Sequence, residues 1–238
     1  MPSPIPQLLG YLFDGFGDIT DDLRVSCERW CALSPRFCTF ALSHRDKMRK
    51  KIRAARDIEG LRDLQLELEI AYRLSRERRF AIAYEAYLAE KTRGPDFTVS
   101  YTTRCTFNIE VRRLRSALTL PKWMDVLGDK LRQVPSSSPN VIVLASDSAA
   151  ERFDIASAMK HIRILAEHKD ADFFARAGFN GSQDFFRAFC RLSGLFLLQR
   201  WDAPRDGHLS MWLNPQAKHP IAGDVLSAIV HALSPSLA

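Results

Sequence analysis

Asp96, Glu110 and Arg112 are the residues whose types and spacing suggest chemistry. Asp96 follows Pro95; Glu110 stands fourteen residues further on and is followed by Val111 and Arg112. Side chains alternate along a strand, so Asn108, Glu110 and Arg112 share one face of the segment 106–114 and Phe107, Ile109 and Val111 take the other. The second set is apolar and belongs to the core. A hairpin joining 96–101 to 106–114 brings Asp96 alongside Glu110. Such a pair can share a hard divalent cation, since Mg²⁺ is held by one or two carboxylates together with water and phosphate oxygens. The same residues also read as cross-strand ion pairs on a solvated face, with Arg104, Arg112 and Arg113 as partners.

The neighbouring elements follow from periodicity and turn signals. FAIAYEAYLA (80–89) alternates and is aromatic, which predicts a strand; Gly94-Pro95 is a turn. Pro121 opens a helix to residue 133 with Trp123, Val126, Leu127 and Leu131 inward. VIVLA (141–145) is a wholly apolar strand of the kind covered on both faces. Upstream, Asp57 caps a helix with Leu61, Leu64, Leu68, Tyr72 and Ser75 on one face, flanked on opposite sides by Glu67 and Glu69. Residues 1–56 read as a helical arm in which Ser34-Pro35 ends one helix and starts a second, running into a basic stretch. After 146 come helices at 149–167 and 170–177, a helix capped by Ser182, two strands around a DAPRDG turn, and a closing helix at 221–233. The division is an arm (1–56), a core (57–146) and an α+β extension (147–238), in a mixed α/β chain.

Pro95-Asp96 followed by Glu110-Val111-Arg112 resembles the PD-(D/E)XK nuclease superfamily. The order of elements over residues 57–146 resembles that family's core too: helix, three-strand meander, helix, strand. The resemblance implies a restriction-endonuclease-like mixed sheet and Mg²⁺ as cofactor, with Mn²⁺ as substitute. Asp96 and Glu110 would be the metal ligands, and Arg112 would contact the scissile phosphate. An acidic residue from the first helix would orient a ligand or water, Glu69 in preference to Glu67, with Glu85 a further candidate. The family's lysine is replaced here by Arg112, which binds phosphate well but stays protonated and cannot act as a base; Lys91 is an alternative source of an ammonium. The function implied is Mg²⁺-dependent hydrolysis of DNA phosphodiester bonds. The alternative is a catalytically inactive nuclease-fold module that binds nucleic acid or an acidic protein partner.

Charge points to the same class of partner. The chain of 238 residues carries a net charge of +6, with 34 Lys and Arg against 28 Asp and Glu. His44 to Arg56 holds that whole excess: Arg45, Lys47, Arg49, Lys50, Lys51, Arg53 and Arg56 against Asp46, 7 − 1 = +6. Lys47, Lys50, Lys51 and Arg53 are the expected nucleic-acid contacts, DNA being the expected partner; a solvated helix face is the plainer reading. A hydrophobic fraction of 46% and a charged fraction of 26% exclude wholesale disorder, and no apolar run is long enough for a membrane span. Met1 to Asp18 lacks the basic start of a secretory signal, and five cysteines, an odd number, suit reduced thiols in a cytoplasm. Cys27 and Cys31 read as a buried helix face; with Cys38 and His44 they match no compact zinc spacing. A homodimer is left open. His161 and His168, the phenylalanines of 173–189 and Gly178–Gly181 read as helix surface, core and turn.

Overall fold

The computed structural model describes residues 4–85, 94–102, 105–115, 119–147, 153–199, 201 and 207–234. The N-terminal part is helical: α1 (Ile5–Phe13), α2 (Asp21–Leu33), α3 (Pro35–Ser43), α4 (Arg45–Ala54) and α5 (Ile58–Arg76). Ser34 starts α3 by accepting the Phe37 N–H on its hydroxyl, with Pro35 in the first turn where its missing N–H costs nothing. The single helix expected from Pro35 through the basic stretch is two. His44 leaves helical geometry (φ −117°, ψ 13°), its ring stacked on Phe40 with centroids 4.7 Å apart. This break lets α4 turn so that Met48 and Ile52 face inward.

The sheet has six strands in sequential order: β1 (Phe80–Tyr84), β2 (Phe97–Tyr101), β3 (Cys105–Leu114), β4 (Asn140–Ser146), β5 (Gly194–Gln199) and β6 (His208–Leu213). β1, β2 and β3 form an antiparallel meander; β3, β4 and β5 run parallel; β6 is antiparallel to β5. Helix α6 (Leu120–Gln133) crosses from β3 to β4. Helices α7 (Ile155–Glu167), α8 (Ala171–Ala177) and α9 (Ser182–Phe189) link β4 to β5, and α10 (Gly223–Leu233) closes the chain. Parallel neighbours need such helical crossovers, and these cover a sheet face. The chain is therefore α/β with a mixed sheet.

Two apolar cores lie on the two sheet faces. Helices α1 to α5 and α10 pack on one, against Phe97, Val99, Phe107, Ile109, Val143 and Phe196. Helices α6 to α9 pack on the other, against Ile142, Leu144, Leu195 and Leu197. The alternation of β4 and β5 between the two sets is the two-faced burial that VIVLA signals. Cys27, Cys31 and Cys38 belong to the first core, where burial holds the Cys27 thiol far above its ordinary range. The phenylalanines of α8 and α9 fill the second. No described helix is long and apolar enough to cross a membrane.

Two expected boundaries differ. The strand predicted over 80–89 ends at Tyr84, because Glu85 takes a left-handed backbone (φ +43°) and donates its N–H to the Asp96 carbonyl at 2.9 Å. Residues 86–89 lie outside the described residues. The helix predicted from Ala149 is described from Ile155, capped by Asp154, which accepts the N–H groups of Ala156 and Ser157.

Candidate active site

β3 outruns β2. Phe97 pairs with Ile109, so Asp96 stands opposite Glu110, while Val111 to Leu114 continue alongside β4. At this step in the sheet edge lies a cleft of about 280 Å³. Asp63 and Glu67 of α5 line it from one sheet face, Val126 and Lys130 of α6 from the other, and Asp96 and Arg112 from the sheet itself. Helix α6 presses closely enough on α8 that a Cβ at Gly128 would lie 2.6 Å from the Ala177 carbonyl oxygen. Trp123, Leu127 and Leu131 point into the core, which turns Val126 and Lys130 to the cleft.

Asp96 is buried, and its Oδ2 accepts the Val111 N–H at 2.8 Å. Glu110 lies beneath α6, and its Oε2 is 2.7 Å from Lys130 Nζ. Arg112 is exposed at the rim. The face carrying Asn108, Glu110 and Arg112 is polar as expected, but its first two residues are not solvated. Asn108 donates to Ser138 Oγ and Asn140 Oδ1, at 2.8 and 2.9 Å.

Of the two glutamates that flank the apolar stripe of α5, Glu67 is the one brought to the cleft, where Asp63 of the same helix also lies. Glu69 is not brought there. It pairs with Arg73 at 2.6 Å, and Arg73 in turn donates to the Leu233 carbonyl. Two residues are about 200° apart around a helix, so only one of the two can face Asp96. Burial pushes the Glu67 carboxyl above its ordinary range; the Lys51 ammonium opposes this, and the nearby Asp96 carboxylate adds to it. A carboxyl perturbed by burial and a like charge, inside a cleft, is what functional sites use.

The basic stripe divides. Lys51 bonds Glu67 and lies 2.7 Å from Glu85, and Lys47 donates to the carbonyls of Tyr84 and Glu85 at 2.7 and 3.0 Å. Both are engaged by the protein itself. Lys50 and Arg53 are exposed on the outer face of α4. Spacing already separates these pairs, since Lys47 and Lys51 sit four apart on one helical face. Lys91 lies outside the described residues. Lys130 is the cleft residue that sequence reasoning misses; its signal is its place beside Leu127 and Leu131 on an amphipathic helix that covers Glu110.

Among the described residues no group of three or more His, Cys, Asp or Glu side chains is arranged to hold a metal. Mg²⁺ does not require one, because one or two carboxylates with water and phosphate oxygens suffice. Asp96 and Glu67 supply such a pair: like charges in one cleft, with Asp96 Oδ2 alone fixed by a backbone N–H. Glu110, across the strands from Asp96, is paired with Lys130, as Glu67 is with Lys51. No model of a known protein family, no curated protein and no solved structure matches the chain.

Proposed function

We propose that the cleft hydrolyses phosphodiester bonds of DNA, in a restriction-endonuclease-like core. The observation that carries this reading is the convergence of Asp96, Glu67, Lys130 and Arg112 on one cleft at the step where β3 outruns β2. Asp96 and Glu67 would hold Mg²⁺, with Mn²⁺ as substitute; when bound, the ion polarises the phosphate and acidifies a water. Arg112, exposed at the rim, takes a non-bridging phosphate oxygen. Lys130, fixed by Glu110, orients the attacking water and stabilises the charge that builds on the phosphoryl oxygens. A water gives up one proton to solvent as its oxygen bonds phosphorus, the bond to the leaving sugar oxygen breaks, and that oxygen takes up a proton from solvent.

The test is single-turnover cleavage of supercoiled plasmid beside a calorimetric Mg²⁺ titration. Nicking with Mg²⁺ or Mn²⁺ that stops on chelation is the expected result. DNA binding with neither nicking nor metal uptake would instead select the inactive binding module, which the Glu110–Lys130 pair favours because it neutralises one of the two carboxylates expected to bind metal.

DNA binding has its own signature. Replacing exposed Lys50 and Arg53 with glutamine is expected to reduce the slope of log affinity against log salt by about 0.9 for each phosphate that these side chains neutralise. Replacing Lys47, which is engaged with the Tyr84 and Glu85 carbonyls, is expected to leave that slope unchanged. Filter binding over a salt series measures both. An equal fall from Lys47 would mean that its bonds to β1 open on binding.

A further inference from the structure

Tyr84 ends β1 and is 2% exposed, and its hydroxyl has no hydrogen-bond partner. A buried hydroxyl left without a partner is costly and calls for a cause. Its ring is stacked on Phe97, with centroids 5.4 Å apart, and Lys51 Nζ lies 4.9 Å from its centre. Burial above all raises the phenol far above its ordinary range, and Glu67, within reach of the hydroxyl, adds to this, although no hydrogen bond of normal geometry joins the two. Glu67 is drawn instead to Lys51, which also holds Glu85.

We infer that Glu67 is shared between two positioning residues: it is held by Lys51 in the metal-free arrangement and passes to the Tyr84 hydroxyl when a cation enters the cleft. Three features make the exchange easy. Lys51 has a second carboxylate, Glu85, and the Tyr84 ring to keep its charge satisfied after it leaves Glu67. Glu85 is fixed by its N–H on the Asp96 carbonyl, so the resting place of Lys51 is tied to the cleft. The Tyr84 hydroxyl, stranded now, gains its acceptor. Through Lys51 the helical arm thereby becomes part of the site, beyond the segment that resembles a nuclease core. The role of the entering cation rests on the function proposed above; the sharing of Glu67 between Lys51 and Tyr84 does not.

The experiment is NMR on protein with ring-labelled tyrosine, following hydroxyl exchange at Tyr84, assigned by its loss in Tyr84→Phe. In metal-free protein Lys51→Met is expected to slow Tyr84 hydroxyl exchange at least about tenfold, the equivalent of one hydrogen bond to a charged group. Lys51→Arg, which keeps the charge, is expected to exchange as the wild type does. Mg²⁺ added to wild type is expected to slow exchange as Lys51→Met does. If Lys51→Met folds, as its circular dichroism will show, and exchange is unchanged, the inference is overturned. If it does not fold, Lys51→Gln takes its place under the same criterion. If the substitution slows exchange and Mg²⁺ does not, the sharing of Glu67 stands and the cation's part in it falls, while the metal site of the proposed function is judged by the calorimetric Mg²⁺ titration.

Discussion

Lys130→Met is expected to lower single-turnover plasmid cleavage by about 10²- to 10³-fold, the usual effect of removing one group that stabilises transition-state charge. The reason is position. Lys130 Nζ sits 2.7 Å from Glu110 and lines the same cleft as Asp96, so under the proposed function it supplies from α6 an ammonium to the cleft. Arg112→Lys separates this from the alternative. If Lys130 supplies the ammonium, Arg112→Lys is expected to alter the rate by less than about tenfold, because it trades a bidentate phosphate contact for a single one. If cleavage is limited by the missing lysine at 112, that substitution raises the rate and Lys130→Met changes it little. Glu110→Gln adds a third point. It frees Lys130 from its partner, so it is expected to slow cleavage while leaving Mg²⁺ uptake intact. A loss of Mg²⁺ uptake in Glu110→Gln would return Glu110 to the role of metal ligand.

Much of the architecture is legible in the sequence because local signals and tertiary packing agree there. Ser34-Pro35, the Asp57 cap, Gly94-Pro95 and the apolar run 141–145 each specify a local geometry that the fold uses. The pairing of Asp96 with Glu110 is legible for the same reason, since a hairpin's register follows from its turn and its apolar face. What packs over a face is not. Glu110 alternates correctly with Ile109 and Val111, but whether it meets water, a metal or an ammonium depends on α6, which follows β3 in sequence and places Lys130 twenty residues downstream of Glu110. Glu67 and Glu69 present the same difficulty: both flank the apolar stripe of α5, and only the positions of Asp96 and of α10 decide which meets which. The basic stripe misleads when charge is counted along the chain. Helical phase splits it into Lys47 and Lys51, turned to the sheet edge, and Lys50 and Arg53, turned outward.

Arg113→Met is expected to destabilise the fold by about 1–3 kcal/mol, whereas Arg112→Met, one residue away, is expected to cost no more than about 0.5 kcal/mol. The doublet falls on opposite faces of β3. The Arg113 side chain is 1% exposed and meets three carboxylates: Glu59, Asp63 at 2.9 Å and Asp147 at 2.6 Å. Those groups come from the first turns of α5 and from the residue after β4, so one guanidinium ties the helix that presents Glu67 to the strands that carry Asp96's partner. Asp63 also accepts from Arg115 at 2.6 Å, and Asp147 from the Trp201 indole, which holds the acidic groups in place if Arg113 is removed. Methionine fills a similar volume but removes the cation shared by Glu59, Asp63 and Asp147; these carboxylates are about a quarter to a third exposed and keep Arg115 and Arg62 nearby, so the cost is that of the lost charge-assisted hydrogen bonds rather than of a stranded buried charge. For a domain of this size 1 kcal/mol moves the melting temperature by about 2–4 °C. The expected fall is therefore about 2–12 °C for Arg113→Met and about 1 °C for Arg112→Met by calorimetry. Equal small shifts would mean that water reaches the carboxylates and that Arg113 does not hold α5 on the sheet. A large fall in Arg113→Met accompanied by weaker Mg²⁺ uptake would show that the same tie sets the position of Glu67 in the cleft.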